Sequence, residues 1–193
     1  LTTSSLRQRA PSVSEWVSWV SLMPLLGYLI TIHAYGTWLH GRSVGSVDFD
    51  HNIPGTLYVP PNREPEQRER DSLKYPPNEF DAQRRFIIDS TIKEVCAYRK
   101  WQLHAVHARS THAHAAVQAK HTPERVMNDL KGYSTRRMRE AGILALDIEP
   151  WSYHGSTRYL NTANSLAKAI DYVLNQQGDP LEMRCPSGWT PRA

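Results

Sequence analysis

Two histidines one residue apart, His112 and His114 in "STHAHAAV", are the residues of this chain whose type and spacing first suggest chemistry. Their small and apolar neighbours read as a strand, in which side chains at i and i+2 project from one face. Two neutral imidazoles pointing the same way make half of a metal site. A polar sheet face that merely carries histidines has the same spacing, so the pair needs a companion. One stands near the C-terminus, where "AIDYVLNQQGDP" places Tyr172 and Gln176 four residues apart on a helix. They stack at the border of an apolar face formed by Leu166, Ala169, Ile170, Val173 and Leu174. Packing alone accounts for a border tyrosine. It does not call for the amide one turn later.

These residues need elements to position them. A strand is expected at about 28–39 in "YLITIHAYGTWL", rich in β-branched and aromatic residues. Residues 41–79 read as a long polar loop, with six of the thirteen prolines. A helix follows from about Glu79 to Tyr98, with Asn78 as N-cap. Two strands, "QLHAVHAR" and "THAHAAVQA", meet at a tight turn around Ser110. Thr122-Pro123 opens a second helix that runs to about Glu140. Val126, Leu130 and Tyr133 form its apolar stripe, and Arg125, Asn128, Gly132, Arg136 and Arg139 a separate, largely basic one. A last strand lies at "STRYLN", and a helix from about Ala163 to Gln177 starts at Thr162 and ends at Gly178. The order predicts an α+β fold, a ferredoxin-like antiparallel sheet with helices packed on one face. The domain would span residues 28–180, between an N-terminal leader at 1–27 and a C-terminal tail at 181–193.

Bulk properties narrow the class. The chain has 193 residues, 40% hydrophobic and 22% charged, with a net charge of +4, as expected of one globular domain. Six basic residues against two acidic ones between Lys120 and Arg139 amount to the whole net charge, which points to an anionic partner at that helix. The uncharged run from Trp16 to Gly41 imitates a membrane anchor, but Pro24, Gly27 and several serines interrupt it. It reads as a leader and a buried strand, with no membrane span. Cys96 and Cys185 have no redox or metal spacing, which favours a reducing cytoplasm.

Taken in order, "YLITIHAYGTWLHG", "LHAVHARSTHAHAAV", "KGYSTRRMRE", "WSYHGSTRYL" and "AIDYVLNQQGDP" resemble the single-tyrosine HUH transposases, specifically the REP-associated tyrosine transposase group of bacteria. The resemblance covers about residues 28–180. It implies that His112 and His114 bind a divalent metal, that Gln176 completes that site, and that Tyr172 is a nucleophile that becomes covalently joined to DNA. Three positions depart from the pattern. Thr111 stands where relatives often have Asn, the spacer Ala113 is small, and Asn161 replaces a common aromatic. A tyrosine of ordinary pKa near 10 is a weak nucleophile at neutral pH, so a Lewis acid on the phosphate oxygens suits the reaction. Mixed nitrogen and oxygen ligands favour Mg²⁺ or Mn²⁺. Zinc would want a third strong ligand, which His104 or His121 could supply.

The expected partner is single-stranded or hairpin DNA, with Lys131, Arg136, Arg137 and Arg139 on its backbone. Trp38, Tyr35 and Trp151 are candidates to stack on unpaired bases, against a plain core role for each. Monomer and homodimer both stand open, as does a swing of the tyrosine helix to a partner subunit. Two alternatives remain at this level: a domesticated hairpin-DNA binding protein that no longer cuts, and a zinc-dependent hydrolase built on the histidine cluster.

Overall fold

A computed structural model describes residues 25–39 and 63–192. The expected leader at 1–27 and the first part of the polar loop therefore lie largely outside the described residues. The elements run β1 (Gly27–Ala34), α1 (Arg63–Asp71), α2 (Ala82–Arg99), β2 (Gln102–Ala108), β3 (His112–Gln118), α3 (Pro123–Glu140), β4 (Trp151–Leu160) and α4 (Ala163–Asn175). The four strands form one antiparallel sheet in the order β2-β3-β1-β4. Two strand–helix–strand units share that sheet, which is the ferredoxin-like α+β arrangement expected from the sequence.

Alternation along the strands creates two different faces. On β1, Tyr28, Ile30, Ile32 and Ala34 are buried while Leu29, Thr31 and His33 alternate with them. Ala113, Ala115 and Val117 of β3 join the first set, and with Ile87, Ile88, Ile92 and Val95 of α2 and Val126, Leu130 and Met138 of α3 they build the main core. The expectation of helices on one face holds for α2 and α3. The last helix differs: Val173 of α4 packs with Ala105 and Ala116, flanked by Leu29 and Ile170, on the opposite face. The reason is local. Alanines at 105, 116 and 169 let the helix approach closely, and its narrow apolar stripe suits a half-polar face.

Element ends differ from the sequence reading where side chains found better partners. Asp81, not Asn78, caps α2 by accepting from the Arg84 amide at 2.8 Å. Asn78 instead donates to the Pro150 carbonyl and accepts from Arg84. Within the expected polar loop, residues 63–71 form α1, supported by the pairs Glu64–Arg68 and Glu66–Arg70 one turn apart. The last strand starts five residues before the expected "STRYLN". Its Gly155 is required, because a Cβ there would run into the Thr31 carbonyl and the Met127 sulfur. The tail is not separate: the Arg184 amide donates to the Ala82 carbonyl, and Trp189 packs edge-on to Phe86.

Candidate active site

The register of the sheet assembles the site. His114 of β3 stands opposite Thr31 of β1 and His107 of β2, and His112 stands opposite His33. The two imidazoles lie edge to face with centroids 4.7 Å apart, as the i, i+2 spacing requires. The Thr31 hydroxyl is 2.8 Å from His114 Nδ1, and the Thr111 hydroxyl is 3.0 Å from His112 Nδ1. In the tautomer that donates Nδ1–H to these hydroxyls, each Nε2 carries a lone pair. His114 Nε2 is buried without a hydrogen-bond partner among the described residues. A buried acceptor left in that state is costly, and a cation would satisfy it. The donor set thus fits a metal ion.

Electrostatics keep the pair neutral. Burial, then the neighbouring His112 and His33 imidazoles, push His114 down to about 3. Burial also lowers His112, with Arg109 and His107 adding to the effect. Neither ring competes for a proton at physiological pH, so both lone pairs are available.

Helix α4 brings the tyrosine. A capping box between Thr162 and Ser165 fixes its start. Ala169 and Val173 then anchor it on the sheet, leaving Tyr172 beside His114 with ring centroids 5.2 Å apart. Tyr172 is 38% exposed, so its side chain meets solvent as well as the His114 ring.

Gln176 is placed elsewhere. Helix α4 ends at Asn175, and the Gln176 side chain donates to the exposed carboxylate of Asp171. The Gln177 side chain lies near enough to both imidazoles to raise their pKa, an effect that burial outweighs. Its amide nitrogen donates to the Tyr172 carbonyl at 2.9 Å, which leaves its oxygen for the site. The four-residue spacing assumed a continuing helix, and the chain leaves the helix one residue too early.

The basic residues of α3 do not join the site. They sit on the helix across the sheet from α4, and three of the four are engaged within the fold. Lys131 is buried and donates to the carbonyls of Ser152, Tyr153 and His154 at 2.8, 3.3 and 3.1 Å. Arg137 is buried, paired with Glu94 and Glu140 and stacked 3.7 Å over Trp189. Arg139 donates to the Ile148 carbonyl and pairs with Glu149. Arg136 is exposed and lies over the Tyr133 ring. Tyr133 itself packs against the main core, as its stripe predicted.

Among the aromatic candidates, Trp151 is core, its indole N–H donating to Thr135 and to the Lys131 carbonyl. Tyr35 packs on Tyr75, and Trp38 stacks on His33 beside the histidine pair. His121 packs edge-on to Trp101, and no group of three His, Cys, Asp or Glu suited to a metal occurs among the described residues. Gln177 and Thr31, which the sequence does not single out, also lie beside the imidazoles. The second could be found only from the pairing of β1 with β3.

Fold and site together define a ferredoxin-like α+β domain with an imidazole pair beneath a tyrosine-bearing helix. Residues 73–154 match the family model described as "Transposase IS200 like". The match takes in His112 and His114 and ends before α4. No curated protein matches the chain. The match supports a transposase-like function, and such a function implies DNA as the partner. No helix among the described residues is long and apolar enough to cross a membrane.

Proposed function

We propose that the protein cleaves and rejoins single-stranded or hairpin DNA through a covalent phosphotyrosine at Tyr172. The observation that carries this reading is the buried, unpartnered Nε2 of His114 beside the half-exposed Tyr172 ring. His112 and His114 would hold Mg²⁺ or Mn²⁺, with Gln177 in the role first expected of Gln176. When bound, the cation supplies a Lewis acid that offsets charge on the phosphate oxygens.

The chain's own groups do the rest. Tyr172 Oη bonds to phosphorus as the bond to a deoxyribose oxygen breaks; the phenol gives up its proton and the leaving oxygen gains one. Attack by another DNA hydroxyl reverses the step and frees the tyrosine, so no nucleotide cofactor is consumed. Thr31 and Thr111 orient the imidazoles, and the anchored helix holds the hydroxyl in place.

Denaturing-gel trapping with labelled single-stranded hairpins tests the proposal. Tyr172→Phe should abolish the adduct while leaving DNA binding and folding intact, and Tyr133→Phe should keep it. An adduct that survives in Tyr172→Phe overturns the assignment. Binding without any adduct in the unaltered protein supports the non-cutting alternative.

A further inference from the structure

Beside Tyr172 lies a cleft of about 570 Å³ between α4 and the β1–β4 half of the sheet. That volume lies within the range of clefts that take one small ligand, on the order of 300–1,000 Å³. Its polar lining includes Ser156 and Arg158 of β4, the Thr162–Ser165 start of α4, Lys168 and Tyr172. No carboxylate lines it. Arg158 and Lys168 are exposed and make no ion pair or hydrogen bond among the described residues, unlike Lys131, Arg137 and Arg139 across the sheet.

We propose that this cleft is a single-stranded DNA channel in which Arg158 and Lys168 bind backbone phosphates and lead the strand to Tyr172. Alternation supports the placement. Arg158 pairs with Leu29 and Ser156 with Thr31, so both residues of β4 project from the sheet face that carries His114. Thr31 lines the cleft and touches His114 Nδ1, which makes the channel continuous with the histidine site. The capping box occupies the Ser165 amide, and the amides of Ala163 and Asn164 remain in the first turn of a thirteen-residue helix, where phosphate is favoured. Phosphate contacts of this kind give affinity and direction without reading bases. The proposal rests on the reading of Tyr172 as the nucleophile, but its test does not.

Fluorescence anisotropy of a labelled mixed-sequence 30-nucleotide strand (a length of about 30, ample for a site of roughly 4–16 nucleotides) follows affinity against KCl. The protein used is the full chain, with and without Arg158→Gln and Lys168→Gln. Each substitution should weaken binding and flatten the slope of log affinity against log salt by about 0.7, the single-strand value per phosphate contact. Both side chains are exposed, so thermal melting should be unchanged. A double variant with the original slope overturns the channel, as does a slope flattened by Arg136→Gln alone. A duplex that binds as tightly, with the same dependence on both residues, overturns the choice of single strand. Adduct trapping reads the nucleophile separately: a flattened slope with an adduct persisting in Tyr172→Phe would keep the channel and discard the tyrosine assignment.

Discussion

Two adjacent glutamines differ in what they can do because of one helix end. Gln176 occupies the cap position, with φ −110 and ψ 18, and its backbone N–H donates to the Tyr172 carbonyl. Gly178 then takes φ +74, a conformation open to glycine, and turns the chain away. Gln177, just before that turn, keeps its side chain near enough to His112 and His114 to raise their pKa. In Mn²⁺ titrations followed by electron paramagnetic resonance, Gln177→Ala should weaken binding by about 10-fold or more, the scale at which supporting groups act in metal sites. Gln176→Ala should change it by less than about twofold, since its partner is an exposed carboxylate. The reverse ranking would return the role to the residue four positions after the tyrosine.

At the scale of elements, Lys131 joins α3 to β4. Its ammonium holds three successive carbonyls, where the β1–β4 register shifts between Ile32 and Ala34. Burial lowers its pKa, and the carbonyls offset part of the cost of burying the charge. Lys131→Met would leave those acceptors without their donor at a part-buried position. Urea denaturation should show a loss of about 1–3 kcal/mol, while the salt dependence of DNA binding stays unchanged. A flattened salt slope with full stability would instead make Lys131 a phosphate contact, as its charge suggests in the sequence. The two faces of the sheet differ in this respect: Lys131, Arg137 and Arg139 of α3 are engaged within the fold, whereas Arg158 of β4 and Lys168 of α4 make no ion pair or hydrogen bond among the described residues.

Across the whole molecule, the C-terminal segment completes the core that α2 and α3 begin. Trp189 packs on Phe86 and under the Arg137 guanidinium, and Arg137 also donates to the Thr190 carbonyl at 2.6 Å. Arg192 pairs with Glu140. Trp189→Ala removes a ring contact and a cation–π contact together, and should cost about 1–2 kcal/mol, read as a lower melting temperature. Tyr172 lies on the other face, so adduct formation below the melting transition should be unaffected. A Trp189→Ala variant that melts like the unaltered chain would mean that the segment rests on the surface and adds nothing to the core.

Much of this protein is carried by local pattern. Two-residue alternation predicted the strands and put His112 and His114 on one face, because side-chain direction in a strand follows from backbone geometry alone. Thr122-Pro123 and Thr162 marked their helix starts, since capping is a contact within one turn. The 3.6-residue period put Tyr133 toward the core and Tyr172 at a border. Tertiary structure decided what depends on residues distant in sequence. Charge in the sequence shows a cation and not its partner: Lys131 and Arg137 read there as DNA contacts, and only the fold puts the β4 carbonyls and Glu94 beside them. Strand pairing alone brought Thr31 to His114 and Arg158 to the same face. Where the Gln176 and Gln177 side chains lie followed from where the helix stopped, which four-residue spacing cannot register once the backbone is no longer helical.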